Sequence, residues 1–96
     1  LSTKYEINPN CAFRHIDGEL VILIPEKQRL HRLKDVGLRI WELVGEGKTS
    51  EEICEQIVAE YKVERKEAEQ DVKEFLDLLL ENCIITPNIN REQSNF

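Results

Sequence analysis

Between positions 11 and 33 the apolar residues come in short runs broken by turn signals, and from position 36 onward they recur at helical spacing. Asp17-Gly18 separates Ala12–Ile16 from Leu20–Ile24, and Asp-Gly between two such runs predicts a β-hairpin. The second run stops at Pro25. Pro25-Glu26-Lys27 predicts a turn into a third strand from Gln28 to Leu33, carrying Leu30, His31 and Leu33. Asn8-Pro9-Asn10 marks the loop that feeds the first of these three antiparallel strands.

Val36, Leu38, Ile40, Trp41, Leu43 and Val44 group on one broad side of a first helix, with Asp35 as its expected N-cap and Gly45 and Gly47 ending it. Thr49-Ser50-Glu51-Glu52 supplies the cap and acidic first turn of a second helix, whose stripe of Ile53, Cys54, Ile57, Val58 and Tyr61 carries it to about Tyr61. Val63 falls in the connection, as an anchor for that loop. A third helix is expected from about Arg65 to Asn82, with Ala68, Val72, Phe75, Leu76, Leu79 and Cys83 facing the core. Leu78 and Leu80 lie outside that stripe, and a helix apolar over more than one face borders a second apolar environment. Ile84, Ile85 and Pro87 close the fold as a short extended segment.

These elements define an α+β protein, a three-stranded antiparallel sheet followed by three helices. No linker or repeat divides the 96 residues, so one domain is expected over 1–87, with a polar tail at 88–96 that ends in Phe96. Tyr5, ahead of the first strand, belongs either to an ordered arm or to a disordered tail. With 41% hydrophobic and 33% charged residues the chain can offset its folding entropy by burial. Leu20–Ile24, its longest apolar run, is far too short to span a bilayer. No secretory signal is recognisable, Leu1 leaves the true start open, and a cytoplasmic location is expected.

Charge and chemistry narrow the function. The net charge of -6 disfavours nucleic acid. Residues 1–34 carry six Lys and Arg against four Asp and Glu, whereas residues 35–96 carry seven against fifteen. Cys11, Cys54 and Cys83 match neither a CxxC redox site nor a zinc-ligand pair, and each is expected to be a buried small hydrophobe. Cys11 and His15, on one face of a strand, stand too far apart to chelate a metal. His15, His31, the cysteines and the helix carboxylates do not converge in sequence, and no glycine-rich phosphate loop opens a helix. Neither catalysis nor a cofactor is expected.

The order of several phrases resembles one family. Phe13-Arg14-His15-Ile16-Asp17-Gly18-Glu19, Arg29-Leu30-His31-Arg32-Leu33, Val36-Gly37-Leu38-Arg39-Ile40-Trp41-Glu42-Leu43 and Thr49-Ser50-Glu51-Glu52-Ile53 are similar, in that order and spacing, to PqqD-like proteins. Phe75-Leu76 with Leu79 and the closing Ile84-Ile85 agree, so the likeness runs from about residue 9 to residue 86. Lys34 departs from it, since such proteins commonly have Asn before the first helix. The resemblance implies a winged-helix-like fold that recognises precursors of ribosomally made, post-translationally modified peptides. The precursor's leader segment would add as a strand on the third strand, against the third helix, and be presented to a processing enzyme such as a radical enzyme, a leader protease or a cyclase. Strand addition draws affinity from an open backbone edge and selectivity from side-chain pockets.

On this chain the implied edge is Gln28, Arg29, Leu30, His31, Arg32 and Leu33, and the facing line on the third helix is Asp71, Phe75, Leu78 and Asn82, with Leu79 beside it. Leu30 and Leu33 fall on opposite faces of their strand, and Leu30 is the one expected to line the groove. Arg29, His31 and Arg32, with Lys27 and Lys34 at the strand ends, either pair with acidic leader residues or simply block edge aggregation. Phe75 and Leu79 also fit plain core positions, and Trp41 reads as a core anchor. Two other readings fit the element order: a winged-helix DNA binder, which the acidic third helix opposes, and a scaffold contacting only proteins through its helical surface.

Overall fold

The computed structural model describes residues 3–88. Its elements are β1 (Lys4–Ile7), β2 (Ala12–Ile16), β3 (Glu19–Ile24), β4 (Arg29–Leu33), α1 (Asp35–Gly45), α2 (Ser50–Tyr61), α3 (Arg65–Glu81) and β5 (Ile85–Asn88). The expected sheet is present as β2-β3-β4, antiparallel throughout, with β4 at one edge. Asp17 and Gly18 both have positive φ (52° and 80°), the backbone a two-residue hairpin between Ile16 and Glu19 requires.

A second sheet was not anticipated. Residues 4–7 pair antiparallel with 85–88, Tyr5 opposite Pro87, so Tyr5 belongs to an ordered arm. Asn88, assigned from sequence to the tail, is the last residue of this ladder; Phe96 and the rest of the tail lie outside the described residues. The Asn8 N–H donates to the Ile84 carbonyl at 2.8 Å and its Nδ2 to the Cys83 carbonyl at 2.7 Å, tying the arm to the end of α3.

Strict alternation on β3 puts Leu20, Ile22 and Ile24 in the core at 0% exposure, and Ile40, Trp41, Leu43, Ile53, Ile57, Val72, Leu76, Leu79, Ile84 and Ile85 complete it from the helices and β5. Trp41 is the expected anchor, with the Phe13 ring edge-on to it at 5.5 Å. Val63 packs on the core from the α2–α3 connection.

The helix ends explain several departures from expectation. Thr49 and Glu52 form a reciprocal capping box on α2, as anticipated. At α1 the N-cap residue is Lys34, not Asp35. Asp35 takes a left-handed backbone (φ 54°) at the first helical position, and the Lys34 side chain makes no capping bond. At its other end the N–H groups of Gly47 and Lys48 donate to the carbonyls of Val44 and Leu43, a Schellman closure. The same closure ends α3, where Cys83 and Ile84 donate to Leu80 and Leu79. Cys83 occupies the left-handed position usually given to glycine (φ 61°), which turns its side chain out of the α3 stripe. Of the three cysteines expected to be buried, only Cys54 is; Cys11 is half-buried and Cys83 exposed. Cys11 also precedes β2, so it shares no strand with His15.

Candidate functional site

Strand β4 follows the β3 hairpin and runs directly into α1, while α3 returns across the same side of the molecule. Between them lies an open groove of about 480 Å³. Its lining comes from Arg32 and Leu33 on β4, Lys34, Val36, Gly37 and Ile40 at the start of α1, and Asp71, Glu74, Phe75 and Leu78 on α3. Because no strand among the described residues pairs beyond β4, the backbone groups of that edge are open to a further strand.

Register sorts the β4 side chains between the core face and the outer face, and Arg32 lines the groove although it stands on the outer face. Leu33 stands opposite Leu20, and His31 opposite Ile22, on the face that carries the core. Arg32 stands opposite Val21, and Leu30 opposite Leu23, on the outer face. One of the two leucines faces the core, as expected, but it is not Leu30 that lines the groove: Leu33, buried at 5% exposure, does, while Leu30 is 66% exposed on the outer face. Gln28 is not in the strand at all. Its N–H and that of Lys27 both donate to the Ile24 carbonyl and its φ is 51°, so the chain is still turning there. Arg29 begins β4 outside the groove lining, and the His31 Nε2 is buried with no hydrogen-bond partner among the described residues.

On α3 the same sorting applies. Asp71, Phe75 and Leu78 face the groove, with Leu78 44% exposed. Leu79 is fully buried in the core, its alternative reading. Asn82 is the C-cap of α3, its Nδ2 donating to the Leu78 carbonyl at 2.9 Å. The sequence reading missed Val36, Gly37, Ile40 and Glu74 as groove residues and named Lys34 only as a strand-end charge. The available signal was Gly37: an interior glycine weakens a helix, so its place in the first turn marks a close approach.

The groove is electrically divided across its width. Arg32 and Lys34 stand on the strand side and Asp71 and Glu74 on the helix side, with Val36, Ile40, Phe75 and Leu78 between. Arg32 is engaged by Glu19 at 3.2 Å, and Glu74 accepts from Gln70 at 3.1 Å. These exposed contacts are weak enough to exchange for others. A smaller depression of about 340 Å³ between α2, α3 and Tyr5 differs in kind, because Arg65–Glu69 and Lys73–Asp77 ion pairs occupy its charges. Burial, with the nearby Asp77 carboxylate second, pushes the Tyr5 hydroxyl up.

Burial likewise raises the thiols of Cys11 and Cys54, which keeps both in the protonated, poorly nucleophilic form at neutral pH. Among the described residues no group of three or more His, Cys, Asp or Glu could hold a metal ion. No helix among them is long and apolar enough to cross a membrane.

An open strand edge facing an apolar, charge-flanked helix surface places the chain among α+β domains with a groove suited to an extended segment. The sequence from residue 19 to residue 85 matches the family described as Coenzyme PQQ synthesis protein D (PqqD), and the chain belongs to that family. The fold recurs in the structure described as "TbiB1 in Complex with the TbiA(beta) Leader Peptide", with a TM-score of 0.79 and 36% identity over 88% of this chain and 99% of that one. It recurs also in "Lasso peptide synthetase B1 complexed with the leader peptide", with a TM-score of 0.80 and 24% identity over the same shares. No curated protein sequence matches the chain.

Proposed function

We propose that this protein binds the leader segment of a ribosomally synthesised precursor peptide as an added strand on β4, against α3, and presents it to a modifying or leader-cleaving enzyme. The observation that carries this reading is the open edge of β4 beside the apolar strip of Val36, Ile40, Phe75 and Leu78. Backbone pairing with β4 would supply affinity for any extended segment. The apolar strip and the charged residues on either side would supply selectivity. The 36% identical relative, solved with a leader peptide, supports the class of ligand. Arg29, Leu30, His31 and Arg32 contribute through the backbone of the edge, and Arg32 also through its charge.

What the groove offers a ligand is backbone, apolar surface and four charges. A second protein has somewhere to rest, since Ile16, Leu23 and Leu30 leave the outer face of the sheet partly apolar at 43%, 39% and 66% exposure. Asp71 and Glu74 would repel the phosphates of a nucleic acid in the groove.

Titration of labelled leader peptides into the protein, followed by fluorescence anisotropy, tests the reading. Leu78→Asp and Arg32→Glu are expected to weaken binding by roughly tenfold or more each, the scale of a lost apolar or charged contact. Unchanged affinity in both variants sinks the groove assignment. Tight, salt-sensitive binding to duplex DNA would replace it with the nucleic-acid reading.

A further inference from the structure

Gly37 lies in the first turn of α1, where the ring of Phe75 reaches it from α3. A β-carbon built on Gly37 stands 2.9 Å from both Cε1 and Cζ of Phe75, and 3.7 Å from Cδ1. Carbon atoms pack at about 3.5–4.0 Å, so the ring fills the space that any other residue at 37 would need. The backbone there does not demand glycine, because the φ of Gly37 is not among the positive values of the chain. Glycine is also a poor choice for a helix. The close approach of the ring is what the residue serves.

The position of that ring shapes the groove. Phe75 is half-buried and lines the groove together with Leu33, Val36, Gly37, Ile40 and Leu78. Behind it, Val72, Leu76 and Leu79 are packed into the core. A ring pushed off α1 by a new methyl group therefore has the groove to move into. In a strand laid beside β4, alternate side chains point to one face, and the one beside Leu33 points into this compartment.

We infer that the contact between Gly37 and Phe75 sets the depth of the groove's apolar compartment, so that the protein selects peptides placing a bulky apolar side chain beside Leu33. This rests on the peptide-binding reading above. Gly37 is a positioning residue, acting through the ring of Phe75.

The test uses Gly37→Ala, Phe75→Leu and the double variant, with the labelled TbiA(beta) leader peptide and a set in which each of its apolar residues is replaced by Ala. Gly37→Ala is expected to weaken binding by about tenfold, with a thermal midpoint at or above that of the parent because Ala favours the helix. The loss should vanish for the one peptide whose anchoring residue has become Ala. Leucine has no atoms at the ring's Cε1 and Cζ positions, so the double variant should bind as well as Phe75→Leu alone. Three results would overturn the inference: equal binding by Gly37→Ala and the parent, a loss that Phe75→Leu does not relieve, or a steep drop in the midpoint of Gly37→Ala, which would mean that the ring cannot yield. If the parent chain binds no leader peptide, the peptide-binding reading fails and the inference falls with it. Parent binding that Gly37→Ala leaves intact removes the inference alone.

Discussion

Leu78 and Leu79 are adjacent on α3 but meet different surroundings, Leu79 sealed in the core at 0% exposure and Leu78 44% exposed on the groove. Two substitutions should separate their roles. Leu79→Ala leaves a cavity and is expected to cost about 2–5 kcal/mol in urea unfolding. Leu78→Asp, at an exposed position in the last turn of α3, should cost only about 1 kcal/mol, from helix propensity and the helix dipole, while peptide binding falls. A destabilisation by Leu78→Asp comparable to that of Leu79→Ala would return Leu78 to the core.

Arg39 joins α1 to α2. Its guanidinium grips Glu60 through Nε and Nη2 at 2.9 and 2.8 Å and reaches Glu42 at 3.1 Å. The Arg39 bonds, with a further one from Gln56, hold the Glu60 carboxyl below its ordinary value. A depressed carboxyl contributes stability that is complete above the unfolded value of about 4.3 and is lost as pH falls through the folded one. The stability difference between the parent and Glu60→Gln should thus stay level near neutrality and shrink in acid below that value. A difference that persists undiminished below pH of about 3 contradicts the assignment.

Cys83 holds a left-handed backbone at φ 61° to close α3. Such a conformation is costly for any residue with a β-carbon, so Cys83→Gly should stabilise the protein by roughly 0.5–1 kcal/mol, raising the thermal midpoint by a few degrees. Its carbonyl bond from Asn8 is unaffected by the change. A lowered midpoint would mean that the thiol contributes packing that its exposure does not suggest.

The capping box of α2 is similarly open to measurement. Thr49→Ala removes the acceptor for the Glu52 N–H, at 3.1 Å, and should cost about 1 kcal/mol. The Thr49 N–H and, less strongly, its side chain hold the Glu52 carboxyl below its ordinary value, and the N–H bond survives the substitution, so the carboxyl should stay lowered in the variant. A Glu52 carboxyl at its ordinary value in the parent protein would show that the box does not persist in solution.

What the chain determined by itself is what depends on neighbours within a few residues. Asp17-Gly18 made its hairpin because only certain residues accept positive φ at both positions. Thr49 and Glu52 made their box because three residues separate them. Alternation placed Leu20, Ile22 and Ile24 together, and the helical period placed Val72, Leu76 and Leu79 together. Periodicity says which residues share a face, not which face the rest of the molecule will cover. The helices cover the side of the sheet that carries Leu33, and so the structure gave the groove to Leu33 and exposed Leu30. The pairing of β1 with β5 joins segments about eighty positions apart, and neither is long or apolar enough to announce itself alone. Phe75 and Gly37 meet for the same reason: the turn after α1 and the course of α2 bring back a helix whose ring fits where one residue has no side chain. Local preference built the edge and the stripe, and long-range packing decided which of their residues form one groove.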